Sequence, residues 1–180
     1  MNSGSIRILK PNVSRDEALH AFSTAGFSAL YWRLRSGTLR RIADVYVQYF
    51  LFEVKYGKAR RLFAIDASDG SLDLFEFPRE PIGQEVLTQE VSNRISAALS
   101  EASAAELLRE KVLRLIFQQG FFRLRDARLV ITRVPCELYL PYWLAFYERR
   151  GAVRCRAMDA VRRRIEGAKA SAFFEQWLAA

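Results

Sequence analysis

The sequence predicts an α+β protein made of two similar units, each a helix followed by antiparallel strands (α-β-β-β), packed together. Three observations support this. Helix patterns occur at residues 14–26 and 103–120, and an apolar run follows each of them. The steps Asp66-Ala67 and Asp159-Ala160 then recur 93 residues apart. Self-similarity at a fixed separation is typical of a repeated structural unit.

The helices are predicted from capping residues and from apolar residues at helical spacing. Ser14 and Glu17 have the spacing of a capping box, and Ser103 takes the cap position in the second unit. Between the units, the apolar residues at helical spacing are Val86, Val91, Ile95 and Leu99. The expected division is a first unit at residues 1–80, a linker helix at 81–102 and a second unit at 103–180, which ends in a C-terminal helix.

The long strands of the two units, residues 45–54 and about 138–144, are apolar on both faces. A half-exposed antiparallel strand alternates apolar and polar residues, so both faces of these strands should be covered. The cover could come from the helices, from the sister unit or from a second chain. After the first hairpin, Asp66 is expected to accept hydrogen bonds from the following turn, which contains Gly70. The second unit has arginines there, and a turn of different shape is expected.

Composition indicates a folded, basic protein. The net charge is +8; residues 1–90 contribute +1 and residues 91–180 contribute +7. The cysteines, Cys136 and Cys155, are predicted to lie too far apart for a disulfide, which fits a reducing compartment. The N-terminus lacks the apolar stretch of a signal peptide, and the longest apolar runs are too short to span a membrane. We therefore expect a cytoplasmic protein.

The sequence contains no recognisable catalytic or metal-binding pattern. His20 is the single histidine, and the two cysteines lack zinc-site spacing. We therefore expect a protein that is not an enzyme, with no catalytic residue, no cofactor and no metal. The polar feature that remains is a set of arginines, whose guanidinium groups suit phosphate and carboxylate. The candidate anion- or partner-binding residues are Arg60, Arg61, Arg149, Arg150, Arg154, Arg156, Arg162, Arg163 and Arg164.

Three segments resemble PepSY-type domains. They are residues 14–18 (Ser-Arg-Asp-Glu-Ala), residues 45–47 (Val-Tyr-Val) and residues 65–72 (Ile-Asp-Ala-Ser-Asp-Gly-Ser-Leu). The resemblance implies a helix followed by three strands, present here as a tandem pair. It also implies a role in binding or regulation, often of a peptidase or in the cell envelope, although the absent signal peptide argues against the envelope.

Two functions follow as expectations. The first is a non-enzymatic binding, regulatory or scaffolding protein with a protein or peptide partner. A homodimer through an aromatic sheet face is one form of this function. The alternative is nucleic-acid binding through the arginine-rich second unit, which would weaken steeply with salt because phosphate contacts release counterions.

Overall fold

The computed structural model describes residues 4–24, 34, 37–81, 83–118 and 129–179, and it confirms the α+β class. The helices are α1 (Arg15–Thr24), α2 (Glu101–Gln118) and α3 (Ala168–Ala179), with a short 3-10 helix at Gly83–Glu85. The strands are β1 (Gly4–Leu9), β2 (Thr38–Tyr56), β3 (Ala59–Asp66), β4 (Phe75–Phe77), β5 (Val86–Val91), β6 (Arg94–Ile95), β7 (Val130–Arg149), β8 (Ala152–Asp159) and β9 (Arg164–Ile165). The predicted helix ends at Gly26 and Gly120 lie outside the described residues.

The long strands β2 and β7 form the centre of one mixed sheet. They pair antiparallel along most of their length, from Thr38↔Glu148 to Lys55↔Val130. The sheet order is β4-β3-β2-β7-β1-β5, with β6 beside β2, β8 beside β7 and β9 beside β8. The strands of both predicted units therefore belong to one continuous sheet, and the two units do not form separate sheets that pack face to face.

The pairing of β2 with β7 has a local two-fold symmetry. Val47 pairs with Leu140, which lies 93 residues later, and this pair marks the symmetry axis. The same shift exchanges the neighbouring pairs. These are Val45↔Tyr142 with Tyr49↔Leu138, Tyr46↔Pro141 with Gln48↔Tyr139, and Asp44↔Trp143 with Phe50↔Glu137. The two halves of the chain therefore pack against each other as the subunits of a symmetric dimer do.

The halves also exchange their first elements. β1 pairs parallel with β7, and β6, the strand before α2, pairs parallel with β2. Phe22 of α1 belongs to a core cluster with Ala145 and Met158 of the β7–β8 hairpin. Leu108 of α2 belongs to the corresponding cluster with Phe52 of the β2–β3 hairpin. Each helix thus covers the hairpin of the other half, and neither half encloses a core alone.

Both faces of the long strands are covered within the chain. Helices α1 and α2 lie on one face. On the other face, α3 packs Phe173 and Phe174 against the cluster that contains Val47 and Leu140. Tyr49 and Phe52 are at most 2% exposed, and Tyr46, Phe50, Tyr139 and Phe146 are 6–8% exposed. The aromatic face on which we expected a homodimer is therefore closed, and a dimer would have to use another surface.

The predicted linker helix is wrong. Residues 86–91 form β5, which pairs with β1 from Leu9↔Val86 to Gly4↔Val91, and residues 94–95 form β6. The β-branched residues in this segment favour a strand, and the otherwise open edge of β1 supplies the partner. Helical spacing of four apolar residues could not reveal a partner more than 70 residues away.

The first predicted helix cap is confirmed and the second is corrected. Ser14 N donates to Glu17 Oε2 at 2.8 Å, and Glu17 N donates to Ser14 Oγ at 3.3 Å. In the second half, however, α2 begins at Glu101, and Ser103 N donates to Ser100 Oγ at 3.1 Å. Ser100 is therefore the cap, because its hydroxyl reaches the orphan amide three residues on.

The turns after β3 and β8 have related shapes, which corrects the expectation that they differ. The buried carboxylate of Asp66 accepts hydrogen bonds of 2.7–3.1 Å from Ser68 Oγ and from the amides of residues 69, 70 and 72. The equally buried Asp159 accepts bonds of 2.8 Å from the amides of residues 161 and 162. Gly70 has φ 69°, and Arg163, 93 positions later, has φ 57°. Arginine thus takes a left-handed conformation that glycine adopts without strain.

Tyr49 and Tyr142 meet in the core, where their hydroxyl oxygens are 2.7 Å apart. Burial raises the pKa of both phenols; the neighbouring phenol adds to the effect at Tyr49, and Asp159 adds to it at Tyr142. The folded protein therefore keeps both phenols neutral while the unfolded chain ionises above about pH 10. Their contribution to stability is complete below that pH and is lost as the pH rises further.

The variant Tyr49→Phe/Tyr142→Phe is expected to stay close to the parent at neutral pH, because both hydrogen-bonding groups leave together. Its free energy of unfolding should also fall less than that of the parent as the pH rises above about 10. Tyr49→Phe alone leaves the Tyr142 hydroxyl without this partner and should lower the free energy of unfolding by about 1–3 kcal/mol. Urea denaturation from about pH 7 to about pH 11 measures both effects. A single variant as stable as the double variant at neutral pH would contradict this role of the pair.

Candidate functional site

The structure divides the nine candidate arginines among three places. Arg60 and Arg61 follow the tip of the β2–β3 hairpin, and Arg149 and Arg150 lie at the tip of the β7–β8 hairpin. Because β2 and β7 are antiparallel, these tips lie at opposite ends of the sheet. The third place is β8 with the turn after it, which carries Arg154, Arg156 and residues 162–164. The predicted set is therefore not one surface.

Several of these arginines are engaged within the chain. Arg60 pairs with Glu53, Arg61 pairs with Glu76 at 3.1 Å, and Arg154 pairs with Glu175 at 3.5 Å. Arg156 is only 4% exposed, in register with Ala145, so it is not accessible to a large ligand. Exposed ion pairs of this kind stabilise a fold little, but they neutralise charge that a ligand would need.

In the turn after β8, Arg162 and Arg163 make hydrogen bonds to different parts of the chain. Arg162 Nε donates to Asp159 Oδ2 at 2.5 Å, and Arg162 Nη1 donates to the Leu74 carbonyl at 3.1 Å. Arg163 donates to the Asn12 carbonyl and to Glu17, both at 2.9 Å, which ties the turn to the cap of α1. Arg163 therefore has a structural role that compensates for its left-handed backbone.

Arg162 and Arg164 line an open groove of about 430 Å³ together with three further cations. This basic groove is defined by its charged residues Asp73, Lys111, Arg114, Arg162, Arg164 and Lys169. It lies between α2, the segment before β4, the turn after β8 and the first turn of α3. Five cations and one carboxylate line it, and three further carboxylates contact its arginines: Asp159 contacts Arg162, Glu166 contacts Arg164 and Glu110 contacts Arg114.

The cations of the basic groove are only partly neutralised. Arg164 Nη2 lies 2.6 Å from Asp73 Oδ2 and 3.1 Å from Glu166 Oε2, and Arg114 makes a long contact of 3.7 Å with Glu110 while its side chain is 76% exposed. Lys111 Nζ donates to the Leu72 carbonyl at 2.6 Å. Burial, and next the charge of Lys169, lowers the pKa of Lys111, against the opposing effect of three nearby aspartates.

Sequence reasoning found two of the five cations and missed Lys111, Arg114 and Lys169. Lys111 and Arg114 are three residues apart on α2, a spacing that places them on one side of the helix. This weak local signal does not indicate that the same side faces Arg162. The groove exists because α2 packs on the hairpin of the other half, which no local pattern reveals.

The described ranges hold no group of three or more histidine, cysteine or acidic side chains placed to bind a metal ion. None of the described helices is long and apolar enough to span a membrane. Cys136 and Cys155 are both buried and unpaired, as the sequence predicted. Comparison with family models, with characterised proteins and with solved structures finds no match for this chain, so the PepSY resemblance stays a prediction.

Proposed function

We propose that the protein is a non-enzymatic binding protein that recognises an anionic segment of a protein partner in the basic groove. The observation that carries this proposal is the concentration of five cations in a single open groove, where Arg114 is 76% exposed and makes only a long contact with Glu110. Arginine and lysine recognise phosphate and carboxylate groups through charge-assisted hydrogen bonds. A phosphorylated or acidic peptide is the ligand class that fits this chemistry.

The size and setting of the groove favour a peptide over a nucleic acid. A volume of about 430 Å³ accommodates one or two side chains and their backbone. Nucleic-acid interfaces instead use cations spread over a surface of roughly 600–1,000 Å² or more. The candidate arginines of the described residues do not form such a surface, because they lie at separate places and several pair with acidic side chains.

The test uses a fluorescent peptide with one phosphoserine between two glutamates, and a serine-glutamine peptide of equal length as the neutral probe. Fluorescence anisotropy should detect the phosphopeptide only. The variant Arg114→Glu/Lys169→Glu should weaken binding at least about tenfold, because two attractive charges become repulsive at close range. Both residues are exposed, so the substitutions should leave the fold intact.

The matched control is Arg7→Glu/Lys58→Glu, which changes the net charge equally at exposed positions outside the groove. It should bind the phosphopeptide as the parent does. Equal losses in the two variants would show attraction to the overall charge and would contradict a site. Tighter binding of single-stranded RNA than of the phosphopeptide at physiological salt would favour the nucleic-acid alternative.

A further inference from the structure

A second, apolar cavity lies next to the basic groove. Its volume is about 300 Å³, and six of its eleven lining residues are apolar, while the other five are polar or charged; the apolar ones are Leu9, Phe75, Phe77, Pro78, Pro81 and Val161. The rings of Phe75 and Phe77 have centroids 4.6 Å apart and form one wall. A cavity with aromatic and proline walls suits a flat or bulky apolar side chain.

One contact separates the two spaces. The guanidinium of Arg162, which lines the basic groove, lies 4.8 Å from the centroid of the Phe75 ring, which lines the apolar cavity. The residues that precede these two also line the two spaces: Leu74 lines the groove, and Val161 lines the cavity. A ligand that reaches across one arginine side chain would therefore contact both spaces.

Arg162 has unused hydrogen-bonding capacity at this boundary. Asp159 and the Leu74 carbonyl hold its Nε and Nη1, but its Nη2 is buried without a hydrogen-bond partner. A buried guanidinium nitrogen without an acceptor is costly. Because Nη2 is itself shielded from solvent, an anionic oxygen in the groove would reach it only if the Arg162 side chain shifted.

We infer that the ligand is a two-part peptide segment, with an anionic side chain in the basic groove and a bulky apolar side chain, aromatic or proline, in the adjoining cavity. This inference rests on the proposed function and adds the specificity. The anion supplies charge pairing with the groove, and the apolar group supplies burial that a purely acidic peptide lacks. The segment is thereby distinguished from the many acidic segments that any basic surface attracts.

The experiment compares three phosphoserine peptides on the intact protein, in which phenylalanine, proline or glycine follows the phosphoserine. The phenylalanine or the proline peptide should bind at least about tenfold more tightly than the glycine peptide, in line with burial of a large apolar side chain. Gln84→Trp should remove that advantage, because Gln84 is exposed and lines the cavity. Gln89→Trp, at an exposed position on β5 outside the cavity, should retain it.

Equal affinity for all three peptides would overturn the two-part ligand and leave the proposed anion site intact. An equal loss of all peptides in Gln84→Trp would also overturn it, because the cavity would then have no separate role. Failure of all three peptides to bind would instead refute the proposed function itself. The three results differ, so the failure of one proposal is not mistaken for the failure of the other.

Discussion

Separated halves of the chain, residues 1–81 and 82–180, are expected to be unfolded as monomers and to fold when they are mixed. β2 and β7 bury each other's central residues, and Leu51 and Leu138 are both 0% exposed. Each hairpin also needs the helix of the other half, because Phe22 and Leu108 pack on the hairpin opposite their own. Removal of one half would expose most of the core of the other. The free energy lost by this exposure far exceeds the marginal stability of a small domain.

Circular dichroism and size-exclusion chromatography of each half alone, and of an equimolar mixture, provide the measurement. The mixture should recover the cooperative unfolding transition of the intact chain, at a midpoint that depends on concentration. The intact chain under the same conditions is the control. A half that unfolds cooperatively as a monomer would contradict the exchanged arrangement and support two independent domains.

Asp66→Ala is expected to lower the free energy of unfolding by about 3–5 kcal/mol, because it leaves several buried donors without their acceptor. The carboxylate is 0% exposed and accepts four hydrogen bonds that hold the turn after β3. The midpoint of urea denaturation should therefore fall while the slope of the transition stays the same.

Asp69→Ala is the matched control within the same turn. Asp69 is exposed, and its side chain accepts one hydrogen bond, from Ser71 N at 2.7 Å. Its loss should cost no more than about 1 kcal/mol. Asp66→Asn should fall between the two, since an amide keeps one acceptor oxygen. An Asp66→Ala protein as stable as the Asp69→Ala protein would show that the buried carboxylate is not what holds the turn.

The parts of the fold that depend on neighbouring residues were predictable. The capping box at Ser14, the final helix and the two hairpins follow from spacing within a few residues, and the structure confirms them. β5 was not predictable in this way, because its conformation is decided by β1, which precedes it by more than 70 residues. The left-handed Arg163 is a similar case, since its side-chain bonds to Asn12 and Glu17 are what compensate for its backbone.

The candidate site was predicted only in part, because residues from distant segments of the chain also line it. An arginine-rich turn is visible in the sequence, and Arg162 and Arg164 do line the basic groove. Lys111 and Lys169 join them from two helices that local patterns predict but do not orient. Conversely, arginine is usually exposed, yet Arg156 is buried in the sheet.

The symmetric pairing of β2 with β7 also sets the order in which the chain can fold. At the symmetry axis, Val47 is synthesised 93 residues before Leu140, the residue of β7 with which it pairs. At synthesis rates of roughly 5–20 residues per second, this delay lasts about 5–20 s. During that time β2, a strand of 19 residues, can pair with β3 but lacks β7 on its other edge. Non-local strand pairing of this kind folds slowly and exposes strand edges to aggregation, so β2 is the segment of the nascent chain that most needs protection.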